Sequence, residues 1–277
     1  MSAPISILIR TFNSAGTLRT VLARLDLQPA DEIIVVDSGS ADATLAIAEK
    51  YHACIVVAEK PFNYSKSLNL GFQAAKNPWV LVLSSHCVPL SENLVEVFRQ
   101  AVEKFPEIVA VAYGECSLIE QSKSAPPAIL LADQTSPVAQ RKEVYGGNGL
   151  ALYRRDRWRE QPFDETLPTA EDLAWFLCAL EHGAAAARVP QARVLYRNQG
   201  GLRHMFNKGW LESQMAIALA GGRGANFWEL GINWGSLLKK WSTAKIPLSM
   251  LLRQSAHALG AYLGPKFSSR SRKDDKK

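Results

Sequence analysis

Val80-Leu81-Val82-Leu83-Ser84-Ser85-His86-Cys87-Val88-Pro89 is the stretch on which the fold turns. Its four apolar residues in an unbroken run predict a strand buried on both faces, and the next three residues are abruptly polar. Ligands of an open α/β sheet sit at the carboxyl ends of such strands. Ser84, Ser85 and His86 are therefore where chemistry is expected.

Outward from that run the pattern repeats. Ile5–Ile9 is a buried strand ending in Arg10-Thr11-Phe12-Asn13, and Asn13 or Ser14 is placed to cap a helix carrying Leu18, Val21, Leu22 and Leu25 at helical spacing. Glu32–Val36 is a second strand, closed by Asp37-Ser38-Gly39-Ser40 and followed by a helix over 41–50. Cys54–Ala58 and a helix over 64–75 come next, then Trp79–Leu83. Strict alternation predicts a mostly parallel, right-handed, doubly wound sheet. After a helix over 92–105 and a strand over 108–113 the alternation stops. Residues 116–145, with Pro126, Pro127 and Pro137, read as an excursion over the sheet edge. Three glycines in Tyr145-Gly146-Gly147-Asn148-Gly149 suit a backbone that must come close to a ligand or another strand. A helix over 170–182 and a strand over 188–195 complete this part.

Composition is that of a folded soluble protein, 47% hydrophobic and 21% charged over 277 residues. Cys54, Cys87, Cys116 and Cys178 form no CxxC pair and read as small core residues in a reducing compartment. No signal-peptide pattern or uninterrupted apolar run of spanning length is visible, so a cytoplasmic location is expected. Charge is uneven: residues 1–196 carry 18 Lys+Arg against 22 Asp+Glu, and residues 197–277 carry 14 against 4. An anionic partner would meet the C-terminal third. There, Ile246–Leu263 is apolar, interrupted by Arg253 and His257 and preceded by Lys239 and Lys240. Two readings fit it, an interfacial helix at the inner membrane face and a helix packed on the domain. The tail 266–277 reads as a disordered basic segment.

Ile9-Arg10-Thr11-Phe12-Asn13, then Ile33 to Leu45 (IIVVDSGSADATL), then Asn69-Leu70-Gly71 resemble the family 2 glycosyltransferases of GT-A fold. Gly146-Gly147-Asn148-Gly149, Pro162-Phe163-Asp164-Glu165 and Ala170-Glu171-Asp172-Leu173 resemble that family's acceptor half. The resemblance implies a GT-A domain over 1–200, with a donor half at 1–115, an acceptor half at 116–200, and a helical, membrane-associating extension at 201–265. It implies inverting transfer of a sugar from a nucleotide-diphosphate donor to a hydroxyl on a glycan or lipid-linked acceptor, in surface polysaccharide or glycolipid synthesis.

Carried over by position, Thr11, Phe12 and Asn13 would line the nucleoside pocket and Asp37 would hold base or ribose. Lys66, Asn69, Ser84, Ser85 and Arg197 would lie on the sugar-diphosphate side, and Gly147 and Asn148 on the acceptor side. Ser38 stands where many members have a second Asp, and Arg10 replaces a common proline. Asp172 is the candidate general base, with Glu171 orienting it. The rival account of Asp172 is local, because Thr169-Ala170-Glu171-Asp172 fits a capping box.

The family normally holds Mn2+ or Mg2+ through Asp-x-Asp at the fourth strand's tip. Aligned on Leu83, those positions are Ser84, Ser85 and His86, with His86 at the metal-binding Asp. Imidazole is a competent ligand, but the carboxylate charge is gone, leaving His204 and Lys208 as candidate helpers. A catalytically silent nucleotide- or sugar-binding relative is the alternative those missing carboxylates permit. Nucleic acid is not expected as a partner, because no binding module accompanies the basic third.

Overall fold

Alternation within the first strand divides the core. The computed structural model describes residues 3–105, 107–117 and 128–197, together with residues 206 and 209. In β1 (Ile5–Thr11), Ile5, Ile7 and Ile9 point to one face of the sheet and Leu8 to the other. The first face is covered by α1 (Ala15–Ala23), which contributes Leu18, Val21 and Leu22. Next come β2 (Glu32–Asp37), α2 (Thr44–Lys50), β3 (Cys54–Val57) and α3 (Tyr64–Ala74). Helix α3 covers the second face with Leu68 and Phe72. It comes so close that a Cβ on Gly71 would lie 2.2 Å from Leu8 Cδ1. Each large side chain buried this way is worth about 1.5–3 kcal/mol, which is why unbroken apolar runs become interior strands.

The opening stretch forms β4 (Trp79–Ser84) and, after a two-residue turn, the short β5 (Cys87–Pro89). Then follow α4 (Leu94–Val102), β6 (Val109–Ser117), β7 (Leu130–Ala132), α5 (Val138–Val144), β8 (Leu150–Arg154), α6 (Arg155–Glu160), α7 (Glu171–Glu181) and β9 (Ala185–Tyr196). The sheet runs β3-β2-β1-β4-β8-β6-β9-β5, with β7 on β9. Strands β3, β2, β1 and β4 are mutually parallel as expected. Beyond them β8 enters antiparallel between β4 and β6, and β5 and β7 pair antiparallel with β9. The sheet is parallel throughout its first half, as expected of a mostly parallel, doubly wound GT-A sheet, and its second half shows mixed pairing. The cause of the mixing is chain direction. The Gly146–Gly149 turn feeds Leu150–Arg154 back against β4, whereas the parallel strands are each reached through a crossover helix.

Two expectations change. The segment 116–145 is not a bare excursion: it contains β7 and α5, while residues 118–127 lie outside the described residues. Cys54 is exposed rather than in the core, while Cys87 is buried. The expected extension 201–265, with His204, Lys208, Lys239, Lys240 and Ile246–Leu263, and the tail 266–277 also lie outside the described residues, apart from residues 206 and 209. The chain divides into two compact units, Met1–Arg197 and Asn198–Lys277, and every element named above belongs to the first. Among the described residues no helix is long and apolar enough to cross a membrane.

At the amino edge of the sheet, Asp31 accepts the Ile5 N–H at 2.8 Å and pairs with Arg99 of α4 at 2.8 Å. Arg99 also donates to the Ala3 carbonyl and, through Nε, to Glu96 at 3.0 Å. Beside it Glu32 accepts from Ser6 Oγ and from Lys76 N, both at 2.6 Å. This end is closed by saturated polar groups.

Candidate active site

Three loops meet at the carboxyl edge. The first two, after β1 and β2, are sewn together around Asp37. Its buried carboxylate accepts Thr11 Oγ1 at 2.8 Å, Ser40 Oγ at 2.5 Å, Gly39 N at 2.9 Å and Ser40 N at 2.8 Å. Burial pulls this carboxyl upward, but the bonds from Ser40, Thr11 and Gly39 outweigh it and hold Asp37 below the ordinary range. Gly39 takes φ +90°, where a side chain would be strained. Asn13, itself at φ 47°, donates its N–H to Ser40 Oγ and accepts the Ala41 N–H, both at 2.8 Å. Neither Asn13 nor Ser14 therefore caps α1 with its side chain. The Ala15 N–H goes instead to Asp42 at 3.1 Å. Phe12, 62% exposed, stands out from this loop, and Phe62 and Tyr64 meet edge to face at 4.8 Å at the start of α3.

The third loop is the tip of β4. Ser84 is the register partner of Arg10 on β1. The Ser84 N–H donates to the Gly149 carbonyl at 3.1 Å, and Ser84 Oγ lies 3.2 Å from the His86 ring nitrogens. Ser85 is buried and turned to Ser14, hydroxyl to hydroxyl, at 2.9 Å. The His86 carbonyl accepts the Arg197 N–H at 2.8 Å, and its ring packs edge-on against Tyr196 at 4.8 Å. Among the described residues no three His, Cys, Asp or Glu side chains converge so as to hold a metal ion.

The acceptor-half residues arrive at the same edge. Helix α7 begins at Glu171 behind Ala170, whose φ of 59° makes it the N-cap, without a side-chain cap bond. The capping-box account therefore fails: with Ala170 left-handed the helix starts one residue later, and Asp172 occupies the second helical position. Asp172 instead accepts the Asn148 N–H at 2.9 Å and the Leu173 N–H at 2.8 Å, and hydrogen-bonds the Tyr145 hydroxyl. Gly147 takes φ +70°, and a Cβ there would lie 3.2 Å from Asp172 Oδ2. Asn148 donates through Nδ2 to Glu171 at 3.3 Å and accepts the Tyr153 hydroxyl at 2.7 Å.

Burial pushes the Glu171 carboxyl upward, with Arg10 opposing the shift and Asp172 adding to it. Burial, reinforced by the charge of Asp172, also holds the Tyr145 phenol far above its ordinary range. Arg10 closes the set. Its Nη1 reaches Glu171 at 3.4 Å and the Tyr64 carbonyl at 3.3 Å, and its guanidinium lies 5.2 Å from the Tyr64 ring centre.

Two residues expected on the sugar-diphosphate side are engaged by partners within the fold. Asn69 Nδ2 donates to the Phe163 carbonyl and to Glu165, both at 2.9 Å, and its Oδ1 accepts Trp158 Nε1 and Phe163 N, both at 3.0 Å. With every position of its amide occupied, Asn69 ties α3 to the Pro162–Glu165 loop. Lys66 is half-exposed and pairs with Glu59, which raises its pKa. Sequence inspection missed Tyr145, Tyr153 and the Arg10–Glu171 contact.

The model of the family described as glycosyl transferase family 2 matches residues 6–158. No curated protein matches the chain. Among solved structures, glucosyl-3-phosphoglycerate synthase from Mycobacterium tuberculosis, in complex with Mn2+, UDP and glucosyl-3-phosphoglycerate, is similar with a TM-score of 0.58 and 18% identity, covering 79% of this chain and 80% of that one. The mannosyltransferase PcManGT from Pyrobaculum calidifontis, in complex with GDP-Man and Mn2+, gives 0.57 and 14% identity over 98% of this chain and 76% of that one. S. aureus TarS 1-349 gives 0.56 and 16% identity over 97% and 91%. The GT-A arrangement of these enzymes is the arrangement found here, and with more than half its length matched by the family model, the chain belongs to glycosyl transferase family 2.

Proposed function

We propose that this glycosyltransferase moves a sugar, with inversion, from a nucleoside-diphosphate donor to a hydroxyl of a glycan or lipid-linked acceptor, in the synthesis of a surface polysaccharide or glycolipid. The observation that carries the reading is the meeting of Asp172 with the donor loops at one edge, through Asn148, Glu171 and Arg10. Inverting displacement needs a base opposite the leaving diphosphate. A positioned carboxylate contributes about 10²–10⁴-fold to that step. Asp172 takes the acceptor proton, while Glu171, buried and paired with Arg10, holds the start of α7 in place. Gly147 and Asn148 lie on the acceptor side. Thr11, Phe12 and Asn13 line the nucleoside pocket. Asp37 serves it indirectly, because its own oxygens are spent on shaping the loop that faces the donor. Lys66 stays at the pocket rim, and Ser84 and Arg197 face the diphosphate.

The test is donor hydrolysis with water as acceptor, run on UDP-, GDP- and dTDP-sugars and followed by proton NMR. One donor should be turned over, releasing a sugar whose first-formed anomer is opposite to the donor's. Release of the donor's own anomer would refute inversion. Nucleotide binding without any turnover, including with candidate acceptors, would favour a catalytically silent relative.

A further inference from the structure

We propose that Arg10 carries the charge that holds the donor's diphosphate, in place of a divalent ion held by carboxylates at the β4 tip. The proposal rests on the donor reading given above.

Its first support is the donor set itself. Divalent ions of the Mg2+ and Mn2+ kind are held by oxygen ligands, chiefly carboxylates and phosphates. At the β4 tip Ser84 Oγ and the His86 ring bond each other, and the Ser85 hydroxyl is buried against Ser14. The carboxylates of Asp37, Glu171 and Asp172 at this edge are turned to other partners, Asp37 to Thr11, Gly39 and Ser40, Glu171 to Arg10 and Asn148, and Asp172 to two backbone N–H groups and Tyr145. The described residues therefore do not fit a divalent ion.

The second support is where Arg10 lies. Register pairing sets it directly beside Ser84, and a residue and its partner on the neighbouring strand share a face. The Arg10 side chain is 20% exposed at this edge. Its two hydrogen bonds, to Tyr64 and Glu171, both come from Nη1 and are long, 3.3 and 3.4 Å. A guanidinium has five N–H groups in a fork that matches two phosphate oxygens, and it stays charged at any working pH. The Tyr64 ring beneath it supports the planar group without consuming a donor. Such a cation, loosely held by its present partners, is free to bind an arriving diphosphate more tightly than it binds them.

The experiment titrates the full chain with UDP, GDP and dTDP, and with the matching nucleosides, once in excess EDTA and once with Mn2+. The best diphosphate should bind with the same affinity in both conditions, within about threefold. Arg10→Met should weaken the diphosphate by about 10- to 100-fold, the worth of a charge-assisted bond, and leave the nucleoside unchanged. A variant that merely unfolds loses the nucleoside as well. In that case Arg10→Met/Glu171→Gln, which strands no buried carboxylate, should show the same diphosphate-selective loss. Binding by the unaltered chain that requires Mn2+, or Arg10 variants that bind diphosphate undiminished, would overturn the proposal while leaving the donor pocket standing. If no diphosphate or nucleoside binds under either condition, the donor reading itself fails.

Discussion

Each edge of the sheet carries an arginine paired with an acid, and the two pairs are in different states. At the amino edge Arg99 and Asp31 are 1% and 0% exposed, held at 2.8 Å and tied further to Glu96, Ala3 and Ile5. At the carboxyl edge Arg10 and Glu171 are 20% and 6% exposed and 3.4 Å apart, and burial pushes the acid's pKa upward. A saturated buried pair holds structure and has nothing left to offer a ligand. A loose, partly buried pair contributes less to stability and keeps its charge available. The difference is an energetic ground, independent of any resemblance, for proposing that function lies at the carboxyl edge.

The largest expected effect tests the amino edge. Arg99→Ala should cost about 3–5 kcal/mol in denaturant unfolding, because it strands the Asp31 charge in the interior. Arg10→Met should cost no more than about 1 kcal/mol in the same assay, since Glu171 can take up a proton. Equal losses would erase the distinction between the edges.

Next in size is Asn69→Ala. Removing the amide leaves Trp158 Nε1 and the Phe163 N–H unpartnered and should cost about 1–3 kcal/mol for each group left buried. Full stability with a raised donor KM would instead return Asn69 to the donor site. Gly71→Ala sharpens the account of how α3 is seated. Its added methyl group meets Leu8, and overpacking of this kind costs about 1–3 kcal/mol.

The smallest effect is pH-dependent. Asp37 has a lowered pKa in the fold, so it binds its proton less readily there than in the unfolded chain. Its contribution to stability is therefore present above the ordinary Asp range, near pH 3.8, and is lost as pH falls through the lower folded value. Melting temperatures between pH 6 and 2 should fall less steeply at the acid end in Asp37→Asn. Parallel curves would mean that the loop bonds do not perturb Asp37.

Much of this was legible in the sequence. The parallel strands were visible because each is an apolar run of strand length between turn residues, and burial on both faces leaves such a run few other fates. Strand β8 was not, because Leu150–Tyr153 follows a glycine-rich turn whose role reads equally well as ligand approach. The site was half visible. Asp172 and Asn148 stand in recognisable motifs, but their bond to each other joins residues 24 positions apart, and Arg10 reaches Glu171 across 161. No local pattern encodes such contacts. Asn69 shows the opposite limit: position within a motif does not reveal that all of an amide's bonds are already made. Ala170 shows a third, since a left-handed alanine moves a helix start without any compositional signal.

Asp172→Asn bears most directly on the central claim, that the carboxyl edge performs transfer with Asp172 as base. Turnover of the preferred nucleotide-sugar should fall by about 10²–10⁴-fold while the affinity for its nucleoside diphosphate stays within about threefold. Undiminished turnover with intact binding would contradict it.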